Sequence, residues 1–229
     1  METIVPWIQI HGGYRVNLGS SAELPKLSVM AHSLARLCRF TGAVASVKGY
    51  SVAQHCVFVS AHVREVAEPL VSAVYGADKR RAKLALIAAE LLGLLHDVPE
   101  AVTGDISGPM KAFLDSDKLR LFELDLERKA RQKYLPAECF EWLYNNRGDT
   151  RALERAVKIA DLKALENERL SLLSNTRGDW QVPEPGFRGR RNGSERMLTV
   201  RPWGAVRAQR AFMLRYTILC DKFTARFAK

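Results

Sequence analysis

The chain has 229 residues, a length typical of one domain of ordinary size. Apolar residues make up 47% and charged residues 26%, so the composition excludes wholesale disorder, a collagen-like repeat and a disulfide-rich mini-protein. The formal net charge is +10, and this excess favours anionic partners such as nucleotides, nucleic acid or anionic membranes. Charge alone identifies no substrate.

The spacing of the cysteines and the length of the apolar runs indicate the cellular compartment. No C-x-x-C pair occurs among the four cysteines, which argues against a zinc knuckle or a thioredoxin-type site, and we predict that they are reduced and mostly buried. The start of the chain shows no secretory signal, and the longest apolar run, 84–95, is far shorter than the roughly 20 residues that span a bilayer. We therefore expect a cytoplasmic protein without a membrane segment. The cysteines are Cys38, Cys56, Cys139 and Cys220.

The first 28 residues are predicted to form an extended N-terminal arm. Short apolar stretches alternate there with glycines and a proline, and Gly12-Gly13 favours a short hairpin. Helical periodicity begins near residue 29 and is interrupted by a loop over 41–50. Two helices joined by a loop are therefore expected.

The helical core is predicted over 29–175. The segment 80–97 is apolar nearly all round, which is typical of a central helix, and further helices are predicted over 115–134, 138–144 and 150–173. The pattern predicts one all-α bundle over 1–229, without repeats. Six residues are predicted on the inner side of the 150–173 helix: Ala156, Ile159, Ala160, Leu162, Leu165 and Leu170.

A basic loop is predicted over 176–202, because prolines, glycines and arginines there cannot bury enough apolar surface to form a helix. The arginines of 188–196 could bind a polynucleotide backbone or a triphosphate, but no aromatic residues are interleaved, so an exposed solvated loop is favoured. The last helix is predicted over 203–229. Its predicted inner side holds Val206, Phe212, Leu214, Ile218, Leu219 and Phe223.

Four ionisable residues fall close together at the end of the central apolar helix: His96, Asp97, Glu100 and Asp105. Burying such carboxylates without partners costs several kcal/mol, so a cationic group is expected beside them. Imidazole nitrogen together with carboxylate oxygen suits a divalent transition metal better than calcium. A His-Asp pair alone is equally typical of a hydrogen-bonded structural pair.

Two other segments add candidates on separate helices. The segment 50–55 places His55 inside a helix upstream, and 156–161 places Asp161 among apolar neighbours downstream. Each has a plain structural alternative, since His55 could be a core histidine and Asp161 an exposed helical residue. Taken singly, neither residue therefore indicates a shared site.

This order, a His, then His-Asp after an apolar helix, then a later Asp, resembles the HD-domain superfamily of metal-dependent phosphohydrolases. Three segments are similar to the branch that includes bacterial 5'-deoxynucleotidases and phage-encoded relatives. They are Tyr-Ser-Val-Ala-Gln-His at 50–55, Leu-Leu-His-Asp-x-x-Glu-Ala-x-x-Gly-Asp-Ile-x-x-Pro-x-Lys at 94–111, and Lys-x-Ala-Asp at 158–161. The resemblance covers about 7–173, and 180–227 also resembles the phage members. It implies an HD-domain helical bundle.

The resemblance also implies a metal site and its chemistry. One divalent ion (Co, Mn, Zn, Fe or Mg) would polarise the phosphorus centre and lower the pKa of a bound water. Glu100 and Asp105 match the acidic residues that orient this water and handle its proton, although Glu100 could instead simply favour a helix N-terminus. The implied ligands are His55, His96, Asp97 and Asp161.

Substrate contacts are implied at the end of the first helix. Arg39 and Phe40 match an arginine that meets phosphate and an aromatic ring beside the sugar or base, where many relatives carry tryptophan. Lys111 and Lys158 are candidates for further phosphate contacts, although each also suits an ordinary solvated lysine.

The resemblance implies a phosphohydrolase of 2'-deoxynucleotides. Within this branch, either a monophosphate releases phosphate or a dNTP releases triphosphate, and the net charge of +10 favours the dNTP, with dATP as the best single choice. The alternatives are a nucleic-acid-binding accessory protein with a structural metal, and a hydrolase of cyclic or stringent-response nucleotides. We expect a homo-oligomer that does not bind membranes or nucleic acid, in the host cytoplasm if phage-encoded.

Overall fold

A computed structural model describes residues 5–18, 23–145, 147–173 and 199–228. Apart from one short hairpin, the regular structure within these ranges is helical, so the predicted all-α fold is confirmed. The helices are α1 (Leu27–Leu34), α2 (Val52–Tyr75), α3 (Lys79–Leu95), α4 (Glu100–Thr103), α5 (Gly108–Leu114), α6 (Asp117–Tyr134), α7 (Ala137–Asn145), α8 (Arg147–Leu172) and α9 (Ala205–Phe227).

The predicted N-terminal hairpin is confirmed. Strands β1 (Trp7–Ile10) and β2 (Tyr14–Asn17) pair antiparallel, with Ile8 opposite Val16. Gly12, in the connection, has φ of 76°, a backbone conformation that glycine adopts without strain. Val16 is fully buried, so the hairpin packs on the helical core.

Helices α2 and α3 form the centre of the core and approach each other closely at Gly93. A Cβ at this glycine would lie 3.3 Å from the Ser60 Cα, so the backbones can come this close only without a side chain there. The Ser60 hydroxyl also donates to the Glu90 carbonyl oxygen at 2.7 Å. The close contact fixes how α3 lies against α2, and α3 is buried continuously over 84–95, as its composition predicts.

Helix α8 packs on the core with most of the predicted face, since Ala156, Ile159 and Ala160 are buried as predicted. Leu170, predicted inside, has 40% of its surface exposed, whereas Glu168 is fully buried. The inner positions at this end are Ala164, Glu168 and Leu172, spaced by four residues as a helical face requires. The prediction for Leu170 is wrong because it assumed that the inner face is apolar throughout.

Helix α9 buries a narrower stripe than predicted. Phe212, Leu219 and Phe223 are buried, in agreement with the prediction, and so is Ala208. Three residues predicted on the inner side are exposed instead: Val206, Leu214 and Ile218. The helix packs along the single stripe that faces α2 and α3, so apolar residues beside that stripe remain in solvent.

Residues 174–198 lie outside the described part of the chain, and with them most of the predicted basic loop, including the arginines of 188–196. Where the chain resumes, Gln54 holds it against α2. The Gln54 amide donates to the Arg201 carbonyl at 2.8 Å and accepts from the Trp203 backbone N–H at 2.8 Å. These two hydrogen bonds hold the segment just before α9 against α2.

The four cysteines are free, as predicted, but only two of them are fully buried. Cys56 and Cys139 are buried, Cys220 is partly buried and Cys38 is exposed. Of the helices described, none combines the length and the apolar character needed to cross a bilayer.

Candidate metal centre

The start of α2 is tied to the segment that carries Arg39. The Arg39 N–H donates to the Tyr50 carbonyl at 2.8 Å, and the Val52 N–H donates to the Leu37 carbonyl at 3.1 Å. Ser51 caps α2, since its hydroxyl accepts from the backbone N–H three residues on at 3.3 Å. These bonds place Arg39 next to the first turn of α2, which carries His55.

The end of α3 orients the second histidine. His96 follows the last residue of α3, and its Nδ1 lies 2.8 Å from the Gly93 carbonyl oxygen. A carbonyl only accepts, so Nδ1 carries the proton and donates it. The other ring nitrogen, Nε2, is thereby left facing the carboxylate of Asp97, 3.2 Å from its Oδ2.

Helices α2, α3 and α8 bring four predicted ligands together in one cluster, the candidate metal centre. The Nε2 of His55 lies 3.2 Å from Asp161 Oδ1 and 3.4 Å from Asp97 Oδ2. The Nε2 of His96 lies 3.9 Å from the same Asp161 oxygen. With metal–ligand bonds of roughly 2.0–2.2 Å, neighbouring ligand atoms lie about 3–3.5 Å apart, so the cluster has nearly the spacing of a coordination shell.

The polar atoms of the cluster fit a cation. Among the described residues, neither His55 Nε2 nor His96 Nε2 makes a well-formed hydrogen bond, although both atoms are buried. Each lies 3.2 Å from a carboxylate oxygen, and a divalent ion would bind both nitrogens and these oxygens at once. His55, His96 and Asp97 each offer one ligand atom within 4.8 Å of the others, so this group can hold a metal ion.

The histidines and carboxylates of the centre shift each other's pKa values. Burial acts to lower the pKa of His96, but the carboxylate of Asp97 outweighs it and raises this pKa to about 9. Burial acts to raise the pKa of Asp97, but His96 and His55 hold it well below its usual value. An imidazole must be neutral to bind a metal, so an ion that binds here displaces protons.

Glu100 lies beside the centre in surroundings that favour the protonated form of its carboxyl group. It begins α4, is 9% exposed, and its Oε2 has no hydrogen-bond partner among the described residues. Burial, together with the charges of Asp97 and Asp105, raises the pKa of Glu100 to about 9. Burial also raises the pKa of Asp105. Without a bound ion, these surroundings therefore favour a proton on Glu100 at neutral pH.

Arg39 reaches the centre from the side of α2. Its Nη1 donates to Asp97 Oδ2 at 3.4 Å, and its guanidinium carbon lies 5.7 Å from the centroid of the Phe40 ring. Phe40 and Thr41 have φ of 57° and 52°, a left-handed conformation that is strained for residues other than glycine. The backbone is therefore locally strained at the turn that follows Arg39.

The two predicted lysines are both paired with carboxylates. The Lys111 ammonium lies 2.8 Å from Glu123 Oε1, and the Lys158 ammonium donates to Asp161 Oδ2 at 2.9 Å. Lys158 therefore contacts the outer oxygen of a candidate ligand. Lys111 is held toward α6, with Glu100 and Asp97 close enough to raise its pKa further.

A cavity of about 920 Å³ adjoins the centre between α6, α7 and α8. His96, Asp97 and Asp161 form part of its wall, so the cavity and the metal centre are continuous. Its lining combines apolar side chains such as Leu124 and Phe140 with charged ones. The volume lies within the range of roughly 300–1,000 Å³ that small-molecule sites occupy.

Two residues of the site were missed by the sequence analysis. Glu168 Oε1 lies 2.6 Å from His55 Nδ1 and accepts from the Tyr50 hydroxyl at 2.7 Å, and its Oε2 lies 3.3 Å from Arg39 Nε. Glu168 follows Asp161 by seven positions, so both lie on one face of α8, but this spacing does not reveal the partners of Glu168. Tyr50 lies in the 50–55 segment that resembles the family, but the resemblance implies no role for this tyrosine.

Comparison with known proteins adds no assignment. No protein-family model matches the chain, and no curated protein matches it either. The side chains of the centre are therefore the basis for any function given to this protein. Among them, His55, His96 and Asp97 form a partly buried group that could hold a metal ion.

Proposed function

We propose that the chain is a divalent-metal-dependent phosphohydrolase of 2'-deoxynucleotides, with dATP hydrolysis to deoxyadenosine and triphosphate as the best single reaction. The observation that carries this proposal is the pair of buried Nε2 atoms of His55 and His96, which make no well-formed hydrogen bond among the described residues and lie only at ion-pair distance from carboxylates. Both face the carboxylates of Asp97 and Asp161 at 3.2–3.9 Å. The set fits one ion with positions left for water and phosphate.

The ligands define the class of ion. Two imidazole nitrogens with carboxylate oxygens suit Mn, Co, Fe or Zn, while Mg and its preference for oxygen fit less well. An ion held by these residues supplies a Lewis acid for the phosphorus centre and brings the pKa of a bound water toward neutrality. The protein's part is to hold His55 and His96 with Nε2 directed at that position.

Glu100 and Asp105 provide the proton chemistry in this proposal. In the metal-free centre the pKa of Glu100 is raised to about 9, so this carboxyl group could hold and pass on a proton beside the ion position. The pKa of Asp105 is raised as well, although this group is less buried than Glu100. Two acidic groups with different environments can divide the work of accepting and donating a proton.

Arg39 provides the phosphate contact. Its guanidinium is planar and has parallel donors that match phosphate oxygens. The group is held beside the centre by Asp97 at 3.4 Å and by Glu168 at 3.3 Å. A phosphate oxygen arriving at the metal centre therefore meets a donor that is already oriented.

The cavity beside the centre can bind the rest of the substrate. A nucleotide with its reacting phosphorus at the centre can extend into the 920 Å³ between α6, α7 and α8. Apolar wall residues suit a sugar and base, and the net charge of +10 favours an anionic ligand.

Product analysis tests this function. Purified protein is incubated with Mn²⁺, Co²⁺ or Mg²⁺ and a panel of dNMPs, dNTPs and rNTPs, and the products are separated by chromatography. We expect deoxyadenosine and tripolyphosphate from dATP, and no reaction by Asp97→Asn. Release of inorganic phosphate from dNMPs alone would replace the triphosphohydrolase with a 5'-deoxynucleotidase. No product from any nucleotide with any ion would contradict the proposal.

The rival function is a nucleic-acid-binding protein with a structural metal, and the net charge of +10 favours it. Salt-sensitive DNA binding that survives Asp97→Ala, without phosphate release from any nucleotide, would support this rival. The four candidate ligands together with two nearby acidic residues, Glu100 and Asp105, favour a catalytic site over a structural one, so we rank this rival second.

A further inference from the structure

We propose that Glu168 is a positioning residue of the metal centre. Glu168 orients His55 for the ion and holds Arg39 at a fixed distance from His55. The proposal rests on the metal site of the proposed function. It concerns a residue that lies outside the predicted ligand set and does not face the ion position.

Glu168 is completely buried and makes contacts with both of its oxygens. Its Oε1 lies 2.6 Å from His55 Nδ1 and accepts from the Tyr50 hydroxyl at 2.7 Å. Its Oε2 lies 3.3 Å from Arg39 Nε. Because His55 and Tyr50 are fully buried as well, this contact set is shielded from water and its geometry is fixed by packing.

The contact decides which nitrogen of His55 is available to a metal. A neutral imidazole has one N–H and one lone pair. With an acceptor at Nδ1, the proton stays on Nδ1 and the lone pair lies at Nε2, the atom that faces Asp97 and Asp161. Metal-binding histidines are commonly oriented by a carboxylate in this way, which also makes the imidazole a stronger ligand.

The same carboxylate joins the metal ligand to the arginine. A buried carboxylate is stable only if it is paired and hydrogen-bonded, and Arg39 provides the positive charge while Tyr50 and His55 provide hydrogens. Arg39 also donates to Asp97 at 3.4 Å. Glu168 therefore fixes the distance between one ligand and the expected phosphate donor.

A second buried glutamate offers a matched control. Glu90, on α3, is 8% exposed and is paired with Arg64 at 3.0 Å and Arg215 at 3.6 Å. It resembles Glu168 in burial and in its arginine partner, but its contacts are with Ser60, Arg64 and Arg215 and with none of the four candidate ligands. Glu90→Gln thus measures what loss of a buried ion pair does to the fold alone.

The test compares Mn²⁺ affinity of the full-length protein and its variants by titration calorimetry, at matched folded fraction. We expect Glu168→Gln, which keeps the shape but loses the charge, to weaken Mn²⁺ binding about 10-fold, and Glu168→Leu up to about 100-fold. Glu90→Gln should keep the wild-type affinity even if it lowers stability. If Glu168→Leu does not fold, Glu168→Gln alone decides the question.

The outcomes separate this inference from the proposed function. If the wild-type protein binds no Mn²⁺, the proposed metal site fails, and this inference with it. If the wild type binds Mn²⁺ and Glu168→Gln binds it equally well, only the positioning role is overturned. An equal loss in Glu168→Gln and Glu90→Gln would also overturn it, because the effect would then be general to buried ion pairs.

Discussion

His55 and His96 face each other across the candidate metal centre, with their ring centroids 5.2 Å apart, although they come from different helices. Each ring is held at Nδ1, His55 by Glu168 at 2.6 Å and His96 by the Gly93 carbonyl at 2.8 Å. Both Nε2 atoms are therefore directed inward by the protein itself. Such preorganisation is what a precise metal site requires.

Metal binding should stabilise the fold. An ion that binds only the native state raises the free energy of unfolding by about 2.7 kcal/mol at a concentration 100 times its dissociation constant. We expect this increase for Mn²⁺ in urea unfolding of the wild type and its loss in Asp161→Asn, because Asp161 joins α8 to the centre. A wild-type unfolding curve that Mn²⁺ does not shift would contradict the expectation.

Loss of the arginine should separate catalysis from metal binding. Removing one preorganised donor to a transition-state oxygen commonly lowers kcat about 100- to 1,000-fold, and we expect a loss of this size for Arg39→Ala. Its Mn²⁺ content, measured by mass spectrometry, should match the wild type, because Arg39 contacts Asp97 without belonging to the candidate ligands. Turnover at the wild-type rate would remove Arg39 from the mechanism.

Glu100 should make the stability of the chelator-treated protein depend on pH. Its folded-state pKa is raised from 4.5 to about 9, so between these values the folded state holds a proton that the unfolded state releases. The stabilisation that comes from this bound proton is therefore fully present below pH 4.5 and is lost as the pH rises to about 9. The slope is at most about 1.4 kcal/mol per pH unit.

The measurement is urea unfolding from pH 5 to 9 for wild type and Glu100→Gln. The variant should lose this part of the pH dependence, so the two stability curves converge at low pH and separate as the pH rises. Glu141→Gln, at an exposed position of α7, is the control and should parallel the wild type. Curves of identical slope for wild type and Glu100→Gln would contradict the burial argument.

The close approach of α2 and α3 should be sensitive to side-chain volume at Gly93. A branched side chain there would meet the Ser60 backbone, which a Cβ alone already approaches to 3.3 Å. We expect Gly93→Val to lower the free energy of unfolding by about 1–3 kcal/mol. Gly108→Val is the control, since a Cβ at Gly108 meets nothing within 4 Å. Equal stability of the two variants would contradict close packing at Gly93.

The cavity can be tested by filling it. Leu121 and Leu124 are both exposed and lie one turn apart on α6, but of the two only Leu124 lines the cavity. We expect Leu124→Trp to raise KM about 10-fold, equivalent to about 1.4 kcal/mol, with Mn²⁺ affinity unchanged. Leu121→Trp should behave as the wild type in steady-state kinetics. The same KM for Leu124→Trp and wild type would place the substrate elsewhere.

The helices could be predicted because apolar periodicity reports burial. The central helix was predicted over 80–97 and is observed over Lys79–Leu95, since a segment buried all round needs apolar residues on every side. The hairpin followed from Gly12-Gly13, which permits a positive φ that other residues avoid. These features depend on local sequence alone.

Features that depend on tertiary contacts could not be predicted from the sequence. Leu170 was expected inside and Glu168 was overlooked, because periodicity assigns charged residues to the solvent unless a partner is known. The partners of Glu168 come from residues more than 100 positions away, so no local pattern indicates them. The convergence of His55, His96, Asp97 and Asp161 was expected only from the family resemblance.

The most direct test of the metal centre is an anomalous difference map from a crystal soaked in Mn²⁺. We predict one strong peak bound by the Nε2 atoms of His55 and His96 and by the carboxylates of Asp97 and Asp161, at bonds of about 2.0–2.3 Å. A map without a peak there, or with His55 or Asp161 turned away from a bound ion, would contradict the account.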